Sequence, residues 1–263
     1  MALQPITSRK NPAVLDALSL RDKKKRDETN SFYTEGVKLF GEARRAGLKC
    51  RTVFVTERAA GLYAPLIRDV QGYLVTDEVY DKLTEESAPQ GLLAVFEKPD
   101  GLKTAVFEEL AGKTPFLIAD GVQNPANLGA MLRSAFCFGF THALLSDDCA
   151  DVYAAKTLRA SMGLSFGMKI GVTDSLSRDI GTLISHGAKV YATALHTESK
   201  RLCDVSFGDA DCFAVGNEGH GVSDAVLAAC SDTLYIPMNP DAESLNASAA
   251  AAVVMWEMRR DRL

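Results

Sequence analysis

The sequence predicts an α/β protein whose C-terminal part is a mostly parallel sheet, preceded by a smaller α/β domain. Three observations carry this. Apolar runs of strand length alternate with helix-like stretches along the whole chain. The alternation breaks once, at Lys98-Pro99-Asp100-Gly101, and then restarts. After the break the strands become nearly continuous apolar runs, as expected when a parallel sheet is covered on both faces.

In the first hundred residues, Asn11-Pro12 opens a helix-like stretch from Ala13 that becomes charged by Lys25. Ser31-Phe32-Tyr33 is extended, and 37–46 is an amphipathic helix ended by Gly47. Thr52-Val53-Phe54-Val55-Thr56, Tyr73-Leu74-Val75 and Leu92-Leu93-Ala94-Val95-Phe96 are strands with helices between them. Beyond the break come Phe116-Leu117-Ile118-Ala119, Ala143-Leu144-Leu145 and Lys169-Ile170-Gly171-Val172. Val190-Tyr191-Ala192-Thr193-Ala194, Phe213-Ala214-Val215 and Leu234-Tyr235-Ile236 follow. The expected organisation is a domain over 1–100, a linker over 101–112 and a second domain over 113–263.

Composition narrows the function classes. With 263 residues, 47% of them hydrophobic, the chain can bury a full core. No apolar run approaches the roughly 20 residues that cross a bilayer. The longest, 247–258, is alanine-rich and reads as a buried helix. The start has no basic segment followed by an apolar one, so no secretion signal is expected and a cytoplasmic location is. Cys50, Cys137, Cys149, Cys203, Cys212 and Cys230 form no Cys-x-x-Cys pair, and the four histidines are dispersed. Reduced thiols and no metal are expected.

A net charge of −5 argues at first against a nucleic-acid partner, but its distribution argues for one. Residues 1–51 hold 12 Lys and Arg against 6 Asp and Glu, a basic front on an acidic body. Arg9, Lys10, Lys23, Lys24, Lys25 and Arg26 are the candidates to meet a polyanion. The alternative is that the run at 21–26 solvates a helix end.

Open α/β sheets bind ligands beyond the carboxyl ends of their strands, which directs attention to the loops after Ala119, Ala194, Val215 and Ile236. After Ala119, Pro125 and Asn127 form a turn into a helix, and Gly129 permits close backbone approach. Arg133 then falls among Met131, Leu132, Ala135 and Phe136, where it either lines a site, finds a partner or snorkels to the surface. After Val215 comes Gly216-Asn217-Glu218-Gly219-His220-Gly221. Its glycine order is neither the dinucleotide fingerprint nor a P-loop, and Glu218 suits a cationic or hydroxyl-rich ligand. After Ile236, two prolines stiffen the connection, Ser244 is a candidate helix cap and Asn246 projects from the first turn.

These three loops together resemble the signature motifs of the SpoU (TrmH) family of RNA ribose methyltransferases, within the SPOUT superfamily. Asn127-x-Gly129-x-x-x-Arg133 is similar to the first motif and Gly216-Asn217-Glu218-Gly219-x-Gly221 to the second. Ile236-Pro237-Met238 through Ser244-Leu245-Asn246 is similar to the third, and Arg159-Ala160-Ser161-Met162-Gly163 to a segment between the first two. The resemblance covers 113–263. Phe32-Tyr33-Thr34-Glu35-Gly36 and Gln90-Gly91-Leu92-Leu93-Ala94-Val95 resemble, more loosely, a substrate-binding domain related to ribosomal proteins. One departure is Gln123-Asn124-Pro125, where an Asp-Pro step is common.

The resemblance implies a C-terminal trefoil knot, an exception to the rule against knotted chains, and a homodimer. It implies S-adenosylmethionine as cofactor, held by Leu195, Gly216, Asn217, Gly219, Ile236, Met238 and Leu245. It further implies methyl transfer to a ribose 2′-hydroxyl of structured RNA, with rRNA ahead of tRNA. Arg133, Asn127, Glu218, Ser244 and Asn246 are its catalytic candidates. A guanidinium keeps its proton in proteins, so Arg133 is expected to stabilise the emerging alkoxide and grip a phosphate, with Glu218 as one possible partner. Removal of residues 1–100 is expected to leave a folded, cofactor-binding core that methylates RNA poorly, because the basic region supplies the salt-dependent grip. An RNA-binding protein of the same fold without catalysis, and a methyltransferase acting on a base or a protein side chain, remain alternatives. A nicotinamide oxidoreductase is disfavoured by the missing early G-x-G-x-x-G.

Overall fold

The structure is a computed structural model and describes residues 3–194, 199–241 and 244–262. In chain order the elements begin β1 (Gln4–Ile6), α1 (Pro12–Ser19), α2 (Lys23–Thr29), β2 (Ser31–Glu35), α3 (Val37–Arg45) and β3 (Cys50–Val55). They continue with α4 (Glu57–Ile67), β4 (Gly72–Val75), α5 (Asp77–Leu83), β5 (Leu92–Glu97), α6 (Thr104–Leu110) and β6 (Phe116–Ala119). Next are α7 (Pro125–Cys137), β7 (His142–Ser146), α8 (Ala155–Ala160), β8 (Lys169–Thr173), α9 (Leu176–Ser185) and β9 (Val190–Thr193). Last come β10 (Lys200–Arg201), β11 (Cys212–Val215), α10 (Asp224–Ala229), β12 (Asp232–Tyr235) and α11 (Ala247–Arg259).

The chain divides into two compact units. The first comprises Met1–Pro99 and Tyr153–Phe166, the second Asp100–Val152 and Gly167–Leu263. The first unit has a five-stranded mixed sheet in the order β1-β4-β3-β5-β2, with β2 and β3 antiparallel to β5. Successive strand residues point to opposite faces, so Phe32, Val55 and Leu92 enter one core while Tyr33, Phe54 and Leu93 enter the other. The later segment joins the first of these cores. Leu158 and Phe166 are buried there, and the Phe32 ring lies 4.9 Å from Tyr153 and 5.5 Å from Phe166.

The second unit has a seven-stranded sheet, β10-β12-β9-β11-β6-β7-β8, in which every pairing is parallel. All of β6 is buried, which explains its unbroken apolar run. Phe116, Ile118, Val190 and Ala214 meet Ile180 and Leu183 of α9 in one core, while α7 and α11 pack against each other and α11 against β11. From β6 the chain first runs outward through β7 and β8, then returns past β6 to build β9, β11 and β12 on its other side. The reversal falls between β6 and β11, whose ends are level at Ala119 and Val215. That is the position at which an open parallel sheet leaves a crevice beyond its carboxyl ends.

Several sequence expectations differ from the structure. The stretch 101–112, expected as linker, contains α6, whose Phe107 belongs to the core of the second unit. The helix expected from Ala13 is two helices. Asp22 ends the first segment by accepting from the Lys24 amide and capping α2. β1 and β10 lack a strand signature because both lie at sheet edges, where Pro5 is tolerated and two residues suffice. No helix among the described residues is long and apolar enough to cross a membrane. Burial pushes the Cys212 thiol up to about 12, so it behaves as a small apolar group.

Candidate functional site

The loops after β6 and β11 are tied together by their own polar groups. The Asp120 amide donates to the Val215 carbonyl (2.9 Å), and the Ser223 amide donates to Asp120 Oδ2 (2.7 Å). Asn217 Nδ2 donates to the Gly121 carbonyl (2.7 Å), while its Oδ1 accepts from the amides of Gly219 (2.7 Å) and His220 (3.3 Å). One asparagine thus closes the glycine-rich turn and fastens it to the neighbouring loop. Asn217 and Gly221 also exchange both backbone hydrogen bonds at 2.9 Å.

Gly216 is the position at which this turn tolerates no side chain. A Cβ there would lie 2.0 Å from the Gly221 carbonyl carbon and 2.1 Å from the Val222 nitrogen. Both neighbours are backbone and can give way only if the turn opens. Gly216→Ala is therefore expected to weaken cofactor binding roughly ten- to a hundredfold, the 1–3 kcal/mol typical of overpacking. Titration calorimetry measures this, and wild-type affinity in the variant would show that the turn does not shape the binding site.

α7 begins where Asn124 accepts from the Ala126 amide (2.9 Å), with Pro125 in the first turn. This brings Asn127, only 9% exposed, to face the glycine-rich turn. Its Nδ2 donates to Glu218 Oε1 (2.9 Å), and its Oδ1 accepts from Asn246 Nδ2 (3.1 Å). Three candidates from three distant loops therefore form one hydrogen-bonded chain, Asn246 to Asn127 to Glu218.

The remaining candidates divide. Asn246, not Ser244, caps α11: its Oδ1 accepts from the Ser248 (2.9 Å) and Ala249 (3.3 Å) amides. Its extended backbone ends the irregular loop one residue before the helix, leaving Ser244 two positions too early to reach those amides. Ser244 nonetheless lines the cavity described below. Arg133 is exposed on α7, and no partner for its guanidinium is found among the described residues, so the pairing with Glu218 does not form. Glu218 is engaged by Asn127 instead.

A cavity of about 450 Å³ lies against these loops, beyond the carboxyl ends of β9, β11 and β12. Gly216, Asn217, Glu218, Ile236, Met238 and Leu245 line it as expected from the sequence. Gly219 does not; its amide is spent on Asn217. Leu195 falls outside the described residues. Thr193, Ala194, Tyr235 and His220 also line it and were not singled out, although the loop after Ala194 had been. Among the described residues the lining has no Lys or Arg, and Glu218 is its one carboxylate, so those residues suit a neutral or cationic ligand better than a phosphate.

Of the expected RNA-binding residues, Arg9, Lys10, Lys23, Lys24 and Lys25 are exposed. Arg26 is not. It is 4% exposed and donates to the carbonyls of Leu20 (2.7 Å) and Arg21 (2.8 Å). The guanidinium satisfies backbone carbonyls where α1 ends, which removes it from any phosphate-binding surface. Among the described residues no cluster of three or more His, Cys, Asp and Glu side chains could hold a metal.

A parallel α/β unit with a largely apolar cavity beyond the carboxyl ends of its strands has the architecture of an enzyme that binds a nucleoside-type cofactor. Comparison with known proteins sharpens this. The model of the SpoU rRNA methylase family matches residues 115–256, and that of the MRM3-like substrate binding domain matches 11–94. The 23S rRNA (guanosine(2553)-2′-O)-methyltransferase RlmP of Bacillus subtilis is 33% identical over 98% of this chain and 100% of its own. The mitochondrial rRNA methyltransferase 3A of Danio rerio is 30% identical, over 90% of this chain and 66% of its own. The crystal structure of an AdoMet-bound rRNA methyltransferase from Sinorhizobium meliloti superposes with a TM-score of 0.86, at 27% identity and 99% coverage of both chains. The chain belongs to the SpoU rRNA methylase family.

Proposed function

We propose that this protein transfers a methyl group from S-adenosylmethionine to a ribose 2′-hydroxyl of rRNA. The observation that carries the reading is the hydrogen-bonded chain Asn246–Asn127–Glu218 beside a largely apolar cavity with no Lys or Arg among its described lining residues. The cavity fits the cofactor: apolar walls suit an adenosyl group, a described lining without Lys or Arg matches a ligand without phosphate, and Glu218 favours a cation.

When bound, the cofactor supplies an electrophilic methyl on a sulfonium, and the protein supplies position. The backbone freed by Gly216 and the loop carrying Ile236 and Met238 frame the adenosyl end. Asn127, oriented from both sides, keeps Glu218 in one rotamer at the cavity edge. Arg133 would stabilise charge developing on the ribose oxygen as the hydroxyl proton passes to solvent water, and would hold an adjacent phosphate. It is exposed and has no partner among the described residues, which leaves its donors available for RNA.

The N-terminal unit binds the RNA, and Arg9, Lys10, Lys23, Lys24 and Lys25 contribute to its phosphate contacts. The protein acts in the cytoplasm as a homodimer, and its C-terminal unit carries a trefoil knot. In support of a partner copy, Leu245, Val253 and Trp256 are exposed along and just before α11, with Phe138 against the Trp256 ring.

The test is transfer of labelled methyl from S-adenosylmethionine to total RNA of a strain lacking this gene, resolved into rRNA and tRNA. Label is expected in rRNA, within an alkali-resistant dinucleotide. Label in tRNA alone, or label lost on alkaline hydrolysis to mononucleotides, would refute the proposal.

A further inference from the structure

The glycine-rich turn depends on Asn217, and Asn217 depends on the Gly121 carbonyl. What orients Gly121 lies outside the three signature loops. The Gly121 amide donates to Ser146 Oγ (2.8 Å), at the end of β7, and that hydroxyl donates to Asp148 Oδ1 (2.5 Å). A continuous chain thus runs from Asp148 through Ser146, Gly121 and Asn217 to the Gly219 amide.

Each link restricts the next. A hydroxyl has one proton, and a carboxylate can only accept. Asp148 therefore draws the Ser146 proton toward itself and leaves an Oγ lone pair for the Gly121 amide. Without Asp148 that proton could turn to the Cys149 sulfur, 3.4 Å away. Gly121 has φ +63°, and a Cβ there would meet Asp148 Oδ2 at 3.2 Å, so the peptide is held in a left-handed turn directly under the carboxylate. The Asn217 side chain is likewise unambiguous, because its Nδ2 must face a carbonyl and its Oδ1 two amides.

We propose that Ser146 and Asp148 are positioning residues for cofactor binding, setting the glycine-rich turn through Gly121 and Asn217. This rests on the cavity being the S-adenosylmethionine site. Neither residue lines the cavity, so their effect reaches the cofactor only through the turn.

The experiment is calorimetric titration of S-adenosylmethionine into the full-length wild type and the Ser146→Ala, Ser146→Thr and Asp148→Ala variants, each with a thermal melt. Ser146→Ala is expected to weaken binding about tenfold, the effect of one lost hydrogen bond and one amide left unsatisfied. Its melting temperature should stay close to wild type, and Ser146→Thr, which keeps the hydroxyl, should restore affinity. Asp148→Ala, which leaves the acceptor but frees the proton, should show a smaller loss. Wild-type affinity in both alanine variants would overturn the proposal, as would failure of threonine to rescue. Absence of binding by the wild type would overturn the cofactor reading itself.

Discussion

Arg133→Ala lowers methyl transfer to RNA by roughly 10²–10³-fold, the usual effect of removing one donor aimed at developing charge. Affinity for S-adenosylmethionine stays unchanged, because Arg133 is exposed on α7 and does not line the cavity. The two effects separate in a single-turnover transfer assay paired with calorimetry. Lysine should recover only part of the loss, since an ammonium lacks the planar fork that grips a phosphate while reaching a second oxygen. Activity within a few-fold of wild type in Arg133→Ala would remove this residue from the reaction. Loss of cofactor binding would instead give it a structural task.

The second large effect concerns truncation, where the structure reverses the expectation from sequence. Removing residues 1–99 does not leave a clean catalytic core, because Tyr153–Phe166 belongs to the unit being removed. Leu158, Phe166 and Tyr153 lose Phe32, Phe40 and Phe96 as neighbours. Returning such side chains to water costs about 1.5–3 kcal/mol each, a large part of the stability of a typical domain. A chain starting at residue 100 is expected to be insoluble, or soluble without a cooperative melt. A soluble truncation with a sharp thermal transition and normal cofactor binding would show that Tyr153–Phe166 is not needed in its native packing for the second unit to fold.

The same segment marks a boundary of what the sequence discloses. β6, β7, β9 and β11 were legible because burial on both faces writes an unbroken apolar run, and the reading of a parallel sheet followed from them. Which unit a six-residue helix such as α8 joins is decided by contacts far away in the chain, and nothing in its own sequence records them. Arg26 shows the same limit within a charge run. Composition groups it with Lys23, Lys24 and Lys25, but only the placement of α2 relative to the end of α1 turns it inward. The three candidate loops could be picked out individually, and their mutual hydrogen bonds could not. Ser146 and Asp148 carry no signal at all, since their chemistry lies in what Gly121 does with them.

Asn246 occupies two roles with different tolerances. As a helix cap it could drift to aspartate or serine with little consequence, for those residues serve helix amides about equally well. As the donor to Asn127 it has no such latitude, because a carboxylate has no N–H to give and a serine hydroxyl is too short to span both tasks. Cellular proteolysis, which removes chains that fold badly, would pass the aspartate form unnoticed. What the aspartate form would lose is its hold on Asn127, a loss that only the chemistry at the cavity would register.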